Sequence, residues 1–349
     1  MRKLTFGFIG IGLIGGSIAK AIRRVLPEST IIVYNRRESS RTLALNDGTA
    51  NIATDKVDST FSQCDYIFLC TPVEKNVEYL SILKKIINDN CIITDVGSVK
   101  TNIHQAVNAI GLEEHFIGGH PMAGSEKTGY ENANDRLVEN AYYPLTPTNK
   151  VEQKYVDELT KIVKMIGAIP IRISYEEHDK VVAAISHLPH LIAASLVNLV
   201  KHNDSKEEYM KTLAAGGFKD ITRIASSSPE MWEQICMTNT KNISIMLDKY
   251  IHDLKDIKSS LDNKRGSDIN ALITESRDYR DNIEEHNNSI IPRSYRIYCN
   301  IIDESGAIAT IATILATSGV SIKNIGIVHN REFEDGVLKI SFYEPGFSW

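Results

Sequence analysis

The chain has 349 residues, 42% of them hydrophobic, so it is long enough for two or three domains that each have a core. Its formal net charge of -5 and its lack of a basic run argue against nucleic acid as a partner. We find no secretory leader, no apolar run long enough to cross a bilayer and no CxxC pair among the five cysteines. These features predict a cytoplasmic protein with reduced thiols and no membrane partner.

The first half of the chain alternates short apolar strands with amphipathic helical stretches. The predicted strands are LTFGFIG, TIIVYN, YIFLCTP, CIITDVG and HFIGGHP, and a further strand, AIPIRIS, closes this part near Ser174. Strands that are almost wholly apolar and separated by helices are typical of a parallel sheet covered on both faces. We therefore predict an α/β fold with a Rossmann-type parallel sheet over residues 1–174.

From Tyr175 the apolar pattern becomes helical. One long helix is predicted over 178–202, interrupted only by Pro189, and another over 229–251, capped by Ser228. We predict an all-helical domain over 175–288, and its apolar content favours a homodimer.

The end of the chain contains a third predicted region. A polar segment, RDNIEEHNNSIIPRS, is predicted to be a linker because it is hydrophilic and contains Pro292. Beyond it the pattern indicates strand, helix, strand and strand in YRIYCNIID, AIATIATILATSG, VSIKNIGIVHNRE and GVLKISFYEP. This order predicts a small α+β domain over 294–349.

A glycine-rich turn follows the first strand. Gly10, Gly12 and Gly15 form GxGxxG where the strand ends and a helix begins. In that context the first glycine allows the tight turn, the second allows a pyrophosphate to approach, and the third allows strand and helix to pack closely. We assign Gly10, Gly12, Leu13, Ile14 and Gly15 to a dinucleotide cofactor. A glycine-rich turn without a ligand is the alternative.

The end of the second strand bears on the choice between NAD and NADP. Asn35, Arg36 and Arg37 stand where NAD-binding domains commonly place an acidic residue for the ribose hydroxyls. No acid repels a 2′-phosphate here, and Arg36 can pair with one. An asparagine can also bind a ribose hydroxyl, and arginines at a strand end are often only solvated. The cofactor is therefore predicted as NAD or NADP.

Two polar residues follow the fourth and fifth predicted strands, where the topology places ligands. Ser98 lies in TDVGSVK and His120 lies in GGHPMAG. A lone histidine is often structural, but glycines around this one indicate close approach, and a neutral imidazole can take a proton from a hydroxyl as hydride leaves the same carbon. We predict His120 as the base, with Ser98 orienting the imidazole or the substrate hydroxyl.

The helical half supplies further candidates for binding a substrate. His187 and His190 are three residues apart and share a helix face. Arg223 is suited to bidentate binding of a carboxylate, and a structural pair with Asp220 is the alternative. These residues indicate a dehydrogenase that uses NAD or NADP to oxidise an anionic substrate with a hydroxyl group.

Five segments carry a more specific resemblance: GIGLIGGS, TDVGSVK, GGHPMAGSEKTG, SHLPHLIA and AAGGFKDITRIASSSPEMW. In this order the chain resembles the bacterial prephenate dehydrogenase family whose members carry a C-terminal ACT domain. The resemblance implies oxidative decarboxylation of prephenate to 4-hydroxyphenylpyruvate in tyrosine biosynthesis, with no metal.

Site roles follow from the same resemblance. His120 matches the catalytic histidine, Ser98 the serine that orients it, and Arg223 the arginine that holds a carboxylate of prephenate. His187 and His190 match histidines of the substrate pocket, and Glu126 matches a gating carboxylate.

The resemblance also implies an ACT-like regulatory domain over 294–349, with tyrosine as a possible effector. Two features depart from the family pattern: Ser305 replaces a proline common in ACT domains, and the sequence stops at Trp349, so the domain is predicted to be truncated.

Three other functions remain open at this point. Arogenate dehydrogenase differs only in the side chain of its substrate. A β-hydroxyacid dehydrogenase shares the Rossmann and helical parts but uses a catalytic lysine and lacks GGHPMAG. A protein that only senses amino acids would not need His120, which is present.

Overall fold

The structure is a computed structural model that describes residues 3–124, 127–290, 295–301, 304, 306–328 and 336–342. Glu126 and Ser305 lie outside these residues. The chain divides into two compact units, Met1–Leu254 and Lys255–Trp349.

The first unit combines β-sheets with helices. Its strands are β1 (Thr5–Ile9), β2 (Thr30–Tyr34), β3 (Ile52–Thr54), β4 (Tyr66–Leu69), β5 (Ile92–Asp95), β6 (Ile117–Gly119), β7 (Tyr142–Pro147) and β8 (Ile169–Arg172). Its helices are α1 (Leu13–Val25), α2 (Glu38–Asn46), α3 (Val73–Leu83), α4 (Thr101–Ile110), α5 (Gln153–Met165), α6 (Tyr175–Val182), α7 (Leu188–Asn203), α8 (Tyr209–Thr212), α9 (Gly216–Thr222), α10 (Pro229–Thr238) and α11 (Thr240–Asp262), the last of which extends past Leu254.

The main sheet is parallel, with strand order β3-β2-β1-β4-β5. Alternate side chains of its strands enter two cores, one on each face: Phe8 and Phe68 stack on one face, while Ile67 and Leu69 belong to the other. The predicted Rossmann-type sheet is confirmed. Its topology brings the ends of β1, β4 and β5 to one edge, where the glycine turn and the Ser98 loop begin.

The prediction that HFIGGHP belongs to the parallel sheet is wrong. Its strand, β6, pairs antiparallel with β7, and a single parallel bridge, between Ile93 and Phe116, links the start of this segment to β5. β7 pairs in turn parallel with β8, so these strands form a second sheet. Strand β7 was not predicted, because Pro144 and Pro147 argue against a strand, and β3 was not predicted because it is only three residues long.

The predicted long helix forms, and it changes its winding just before Pro189. Helices α6 and α7 are joined by a π-helical turn, Ala183–His187, and Pro189 lies in the first turn of α7, where it needs no hydrogen-bond partner for its nitrogen. The combined stretch Tyr175–Asn203 is also long enough to cross a membrane, and an 18-residue window within it has a mean hydropathy of 1.5. This corrects the expectation that no run is long enough, although an apolar helix of a soluble core or interface passes the same test.

The second predicted helix is divided in two. The Ser228 hydroxyl accepts a hydrogen bond from the Met231 N–H at 3.4 Å, which confirms the predicted cap. Asn239 then interrupts the helix between α10 and α11. Its side chain is buried and bonded to other helices, as described below, so tertiary contacts decide the break.

The second unit contains α12 (Gly266–Ile290), β9 (Tyr295–Ile301), α13 (Ala307–Thr317), β10 (Ile322–Val328) and β11 (Gly336–Phe342). The strands form an antiparallel sheet of order β10-β11-β9, which confirms the predicted strand, helix, strand, strand pattern. The predicted linker is wrong over 280–290, which is helical, because its polar residues include no proline or glycine to end α12. Residues 291–294 lie outside the described part.

Gly15→Ala should lower the free energy of unfolding by about 1–3 kcal/mol, because the added methyl would lie 2.4 Å from the Gly10 carbonyl oxygen and 2.8 Å from Cβ of Cys70. Gly12→Ala is the matched control, since nothing lies within 4 Å of a methyl at that position. Thermal unfolding of both variants measures the difference. An equal fall in Tm for the two variants would contradict this account of the turn.

Candidate functional site

The glycine turn is shaped to receive an anion. Gly10 has φ of +95°, and a side chain there would meet Thr71 and the Cys70 backbone. Gly12 is the N-cap of α1 and no side chain caps the helix, while the space beside Gly12 is open. The first amides of α1, which include those of Leu13 and Ile14, therefore fit a pyrophosphate approaching this end of the helix.

Asn35, Arg36 and Arg37 lie at the end of β2, beside this turn. The Gly10 N–H donates to the Tyr34 carbonyl at 2.9 Å, which links the two strand ends. The Arg41 guanidinium donates to the carbonyls of Asn35 and Arg36 at 2.7 and 3.1 Å. Asn35 is half-buried and both neighbouring arginines are exposed, so the loop is fixed by its backbone while its side chains border the predicted ribose position.

The glycines before His120 allow close packing of β6. A methyl on Gly118 would lie 2.2 Å from the Thr146 hydroxyl, and one on Gly119 would lie 2.7 Å from the Asp95 carbonyl oxygen. His120 itself donates its backbone N–H to the Pro144 carbonyl at 3.0 Å. The strand thus reaches the edge of the main sheet and delivers the histidine there.

A chain of hydrogen bonds runs from His120 into the helical part. His120 Nδ1 lies 2.9 Å from His178 Nε2, and His178 Nδ1 lies 2.8 Å from Asp179 Oδ1. The two carboxylate oxygens of Asp179 also accept the backbone N–H groups of Lys100 and Thr101, each at 2.8 Å. Asp179 therefore binds the N-terminus of α4 as well as His178.

These bonds determine where the protons are. Burial acts to raise the pKa of Asp179, but the hydrogen bonds it accepts from His178, Thr101 and Lys100 lower the pKa overall, so its carboxylate is charged. A carboxylate only accepts, so His178 holds its proton on Nδ1, and when that ring is neutral its Nε2 accepts from His120 Nδ1. The remaining nitrogen, Nε2 of His120, then has a lone pair and no proton.

The surroundings also keep His120 neutral. Its pKa lies well below the usual value because it is withdrawn from water and because His178, Lys100 and His187 are nearby, while Asp179 acts in the opposite direction. A neutral imidazole with an unprotonated Nε2 is a proton acceptor at neutral pH.

Ser98 lies in the loop between β5 and α4 and is half-buried. Within the described residues its hydroxyl has no hydrogen-bond partner, and His120 Nδ1 is held by His178 instead. The predicted contact between Ser98 and the imidazole is therefore not seen. Its other predicted role, toward a substrate hydroxyl, stays a prediction.

The candidate substrate residues of the helical part gather around Trp232 of α10. His190 stacks on the indole with ring centroids 3.5 Å apart, and His187 meets it edge-on at 6.0 Å. Burial lowers the pKa of His190, the hydrogen bond with the Ser186 carbonyl acts in the opposite direction, and the positive charge of Arg223 lowers the pKa further. The turn that begins with Arg223 packs against α7, which carries His190. Arg223 itself is exposed and follows α9 directly. The structure thus brings His190, His187 and Arg223 together.

His187 is connected to the His120 chain by Asn239. The Asn239 amide donates to His187 Nδ1 at 3.1 Å and to the Asp179 carbonyl at 2.8 Å. His187 is only 1% exposed, and burial lowers its pKa to about 4, so it is neutral. Its side chain therefore lies in the wall of the site and is closed to solvent.

Four residues of this arrangement were not predicted from the sequence: His178, Asp179, Trp232 and Asn239. His178 and Asp179 begin a helix whose apolar pattern was predicted, but no motif marked the pair. Their partners are 58 to 79 residues away along the chain, so only the fold reveals them. The Trp232 indole N–H is buried without a partner among the described residues.

Comparisons with known proteins show the family to which the chain belongs. Residues 18–172 match the family described as prephenate dehydrogenase, nucleotide-binding domain, and residues 174–275 match prephenate dehydrogenase, dimerization domain. A Bacillus subtilis (strain 168) prephenate dehydrogenase is 38% identical over 342 residues, which cover 97% of this chain and 92% of the relative. The chain belongs to the prephenate dehydrogenase family. The predicted resemblance is confirmed at this level.

Solved structures of similar fold include two enzymes of this kind. Prephenate dehydrogenase from A. aeolicus, in complex with hydroxyphenyl propionate and NAD+, has a TM-score of 0.75 and 31% sequence identity to this chain. The match covers 81% of this chain and 99% of the A. aeolicus chain. Synechocystis arogenate dehydrogenase has a TM-score of 0.73 and 29% sequence identity, and the match covers 80% of this chain and 100% of the Synechocystis chain. The Rossmann-type and helical parts therefore occur together in known enzymes.

Asp179→Asn should lower the activity by about 100-fold or more, because a neutral amide does not stabilise the imidazolium that forms when His120 accepts the proton and holds the proton on His178 Nδ1 less firmly than a carboxylate does. Asp58→Asn is the matched control: Asp58 also caps a helical turn, accepting the Thr60 N–H at 3.0 Å, and is not part of this network. Initial rates, with circular dichroism to verify folding, measure both. Activity of folded Asp179→Asn near that of wild type would contradict the proton assignment.

Proposed function

We propose that this protein oxidises prephenate to 4-hydroxyphenylpyruvate and CO2, with NAD+ or NADP+ as hydride acceptor. The observation that carries the proposal is the hydrogen-bonded chain from His120 Nδ1 through His178 to Asp179, from which we infer that Nε2 of His120 is a proton acceptor. Membership of the prephenate dehydrogenase family supports the same reaction.

The chemistry needs a base more than any other group. Bound NAD(P)+ supplies the acceptor for the hydride that leaves C4 of the ring. His120 accepts the proton of the C4 hydroxyl as the hydride departs, the ring carboxylate is lost as CO2, and the electron pair of the broken C–C bond makes the ring aromatic. The proton on His120 then returns to the phenolate oxygen. General-base catalysis of this kind contributes about 10²–10⁴-fold, and Asp179 stabilises the transient imidazolium.

The cofactor proposal rests on the first two strand ends. The turn at Gly10, Gly12 and Gly15, with the amides of Leu13 and Ile14, holds the pyrophosphate, and Asn35 bonds the adenosine ribose. The relative from A. aeolicus was solved with NAD+, which supports NAD. Arg36 is exposed and no acidic residue is next to it in the sequence, so its guanidinium can pair with the 2′-phosphate of NADP.

The substrate proposal assigns the carboxylates to the helical part. Arg223 binds one carboxylate, His190 and His187 form the pocket wall with Trp232, and Ser98 contacts the ring hydroxyl. The gating role of Glu126 rests on the resemblance alone, because this residue lies outside the described part of the chain.

We also propose the domain division 1–174, 175–288 and 294–349, which the matched ranges 18–172 and 174–275 support for the first two. Exposed side chains such as Leu213 (77%) and Met237 (66%) support a homodimer formed by the helical part. The antiparallel sheet of order β10-β11-β9, with α13 between β9 and β10, supports an ACT-like last domain. Tyrosine as its effector rests on the family resemblance alone. Free cysteines support the cytoplasm as the location.

Arogenate is the second candidate substrate, because a similar solved structure is an arogenate dehydrogenase. Initial rates with prephenate and with arogenate, each with NAD+ and NADP+, separate the two. We expect the higher kcat/KM with prephenate. If the protein oxidises neither compound, the proposed function is contradicted. A clear preference for arogenate would show that arogenate, not prephenate, is the substrate.

Arg223→Ala should raise KM for prephenate by about 30-fold or more with a smaller effect on kcat, since losing one partner of a carboxylate clamp costs about 2–4 kcal/mol in ground and transition states alike. Asp220→Ala is the control. If Arg223 mainly pairs with Asp220, the two variants will show the same kinetic change, and the carboxylate role will be refuted.

Asn35→Asp should shift the ratio of kcat/KM for NAD+ over NADP+ by about tenfold or more toward NAD+, because a carboxylate repels the 2′-phosphate whose pair with Arg36 contributes about 1.5–3 kcal/mol. Wild type should use both cofactors with a modest preference. Asn46→Asp, exposed at the end of α2, adds the same charge elsewhere. An unchanged ratio in Asn35→Asp, or strong rejection of NADP+ by wild type, would show that this strand end does not select the cofactor.

A further inference from the structure

A buried ion pair lies at the strand ends that carry Ser98 and His120. The ammonium of Lys100 contacts the Asp95 carboxylate, and both residues are fully buried. Replacing such pairs by apolar residues is often neutral or stabilising, so stability alone is a weak reason for a lysine here. Apart from the effect of its charge on the pKa of His120, none of the roles proposed above uses its ammonium group.

The pair binds both backbone polar groups of Gly119, the residue that precedes His120. Lys100 Nζ donates to the Gly119 carbonyl at 2.6 Å, and the Gly119 N–H donates to Asp95 Oδ1 at 3.2 Å. The main-chain position before the imidazole is thus fixed by two charge-assisted hydrogen bonds from one ion pair.

The same pair holds the loop that carries Ser98 and the start of the His178 chain. Asp95 Oδ2 accepts the Gly97 N–H at 2.9 Å, and the backbone N–H of Lys100 donates to Asp179. Three parts of the site therefore meet at Lys100: the Ser98 loop, the β6 end with His120, and the carboxylate that orients His178.

We propose that Lys100 is a positioning residue of the oxidation: by holding Gly119 between its ammonium and Asp95, it directs Nε2 of His120 at the substrate hydroxyl. This proposal rests on the proposed function, since it takes His120 as the base. A small displacement of a reacting group can cost about 100-fold in rate, which sets the scale of the expected effect.

The charge of Lys100 has a second, separable effect. The titratable groups acting on His120 are His178 and Asp179 of α6, His187 of the π-helical turn and Lys100 itself, with Asp95 bonded to Lys100. A nearby cation disfavours the imidazolium, so removing Lys100 raises the pKa of His120. Activity is lost as pH falls through that pKa, so the acid limb of the kcat/KM profile must move to higher pH.

Lys100→Met tests the proposal in the full-length protein. We expect kcat with prephenate to fall by about tenfold or more, KM to change little, and the acid limb to shift upward. Lys84→Met is the matched control, because the exposed Lys84 also donates its ammonium to a backbone carbonyl, that of Ile110, at the far end of α4. It should leave kcat and the acid limb unchanged.

The double variant Asp95→Asn with Lys100→Met guards against misfolding, because it leaves no unpaired buried charge. We expect its acid limb to return toward that of wild type while kcat stays low, since the Gly119 carbonyl still lacks its donor. Wild-type kcat in either folded variant would overturn the proposal. If Lys100→Met does not fold, the kcat of the double variant decides. An inactive wild type would instead refute the proposed function.

Discussion

A carboxylate with no contact with solvent keeps its charge only if hydrogen bonds surround it, and Asp179 is such a group. Its side chain accepts hydrogen bonds from two backbone N–H groups at the start of α4 and from Nδ1–H of His178. Its backbone carbonyl accepts from Asn239, which also holds His187. One charged side chain therefore joins the sheet, the helices and the imidazole that we propose as the base.

This arrangement separates the tasks of the site. The sheet supplies rigid strand ends: the glycine turn beside β1 and β2 receives the cofactor, and β6 carries His120 close to β5 because Gly118 and Gly119 have no side chains. The helical part supplies cationic and aromatic groups that suit an anionic ring. Neither part alone determines the proton on His120, because His178 and Asp179 come from α6.

The sequence predicted the features that local patterns encode. Apolar strands alternating with helices indicated the parallel sheet, and the glycines at 10, 12 and 15 indicated the turn. The position of His120 among glycines indicated that this residue is the base. Its immediate partners were not predictable, because the bond to His178 joins residues 58 apart and no short motif encodes such a contact. Strand β7 was missed because its prolines argue against a strand, and the end of α12 was mistaken for a linker because polarity alone does not end a helix.

From the Asp179 and His178 hydrogen bonds we infer that Nε2 of His120 carries no proton. Two-bond ¹H–¹⁵N correlation spectra of protein labelled with ¹⁵N-histidine report the protonation of each ring nitrogen, and a spectrum of His120→Asn identifies the His120 signals. At neutral pH we expect a protonated Nδ1 and an unprotonated Nε2 for this residue. A proton on Nε2, or on both nitrogens, would contradict the account.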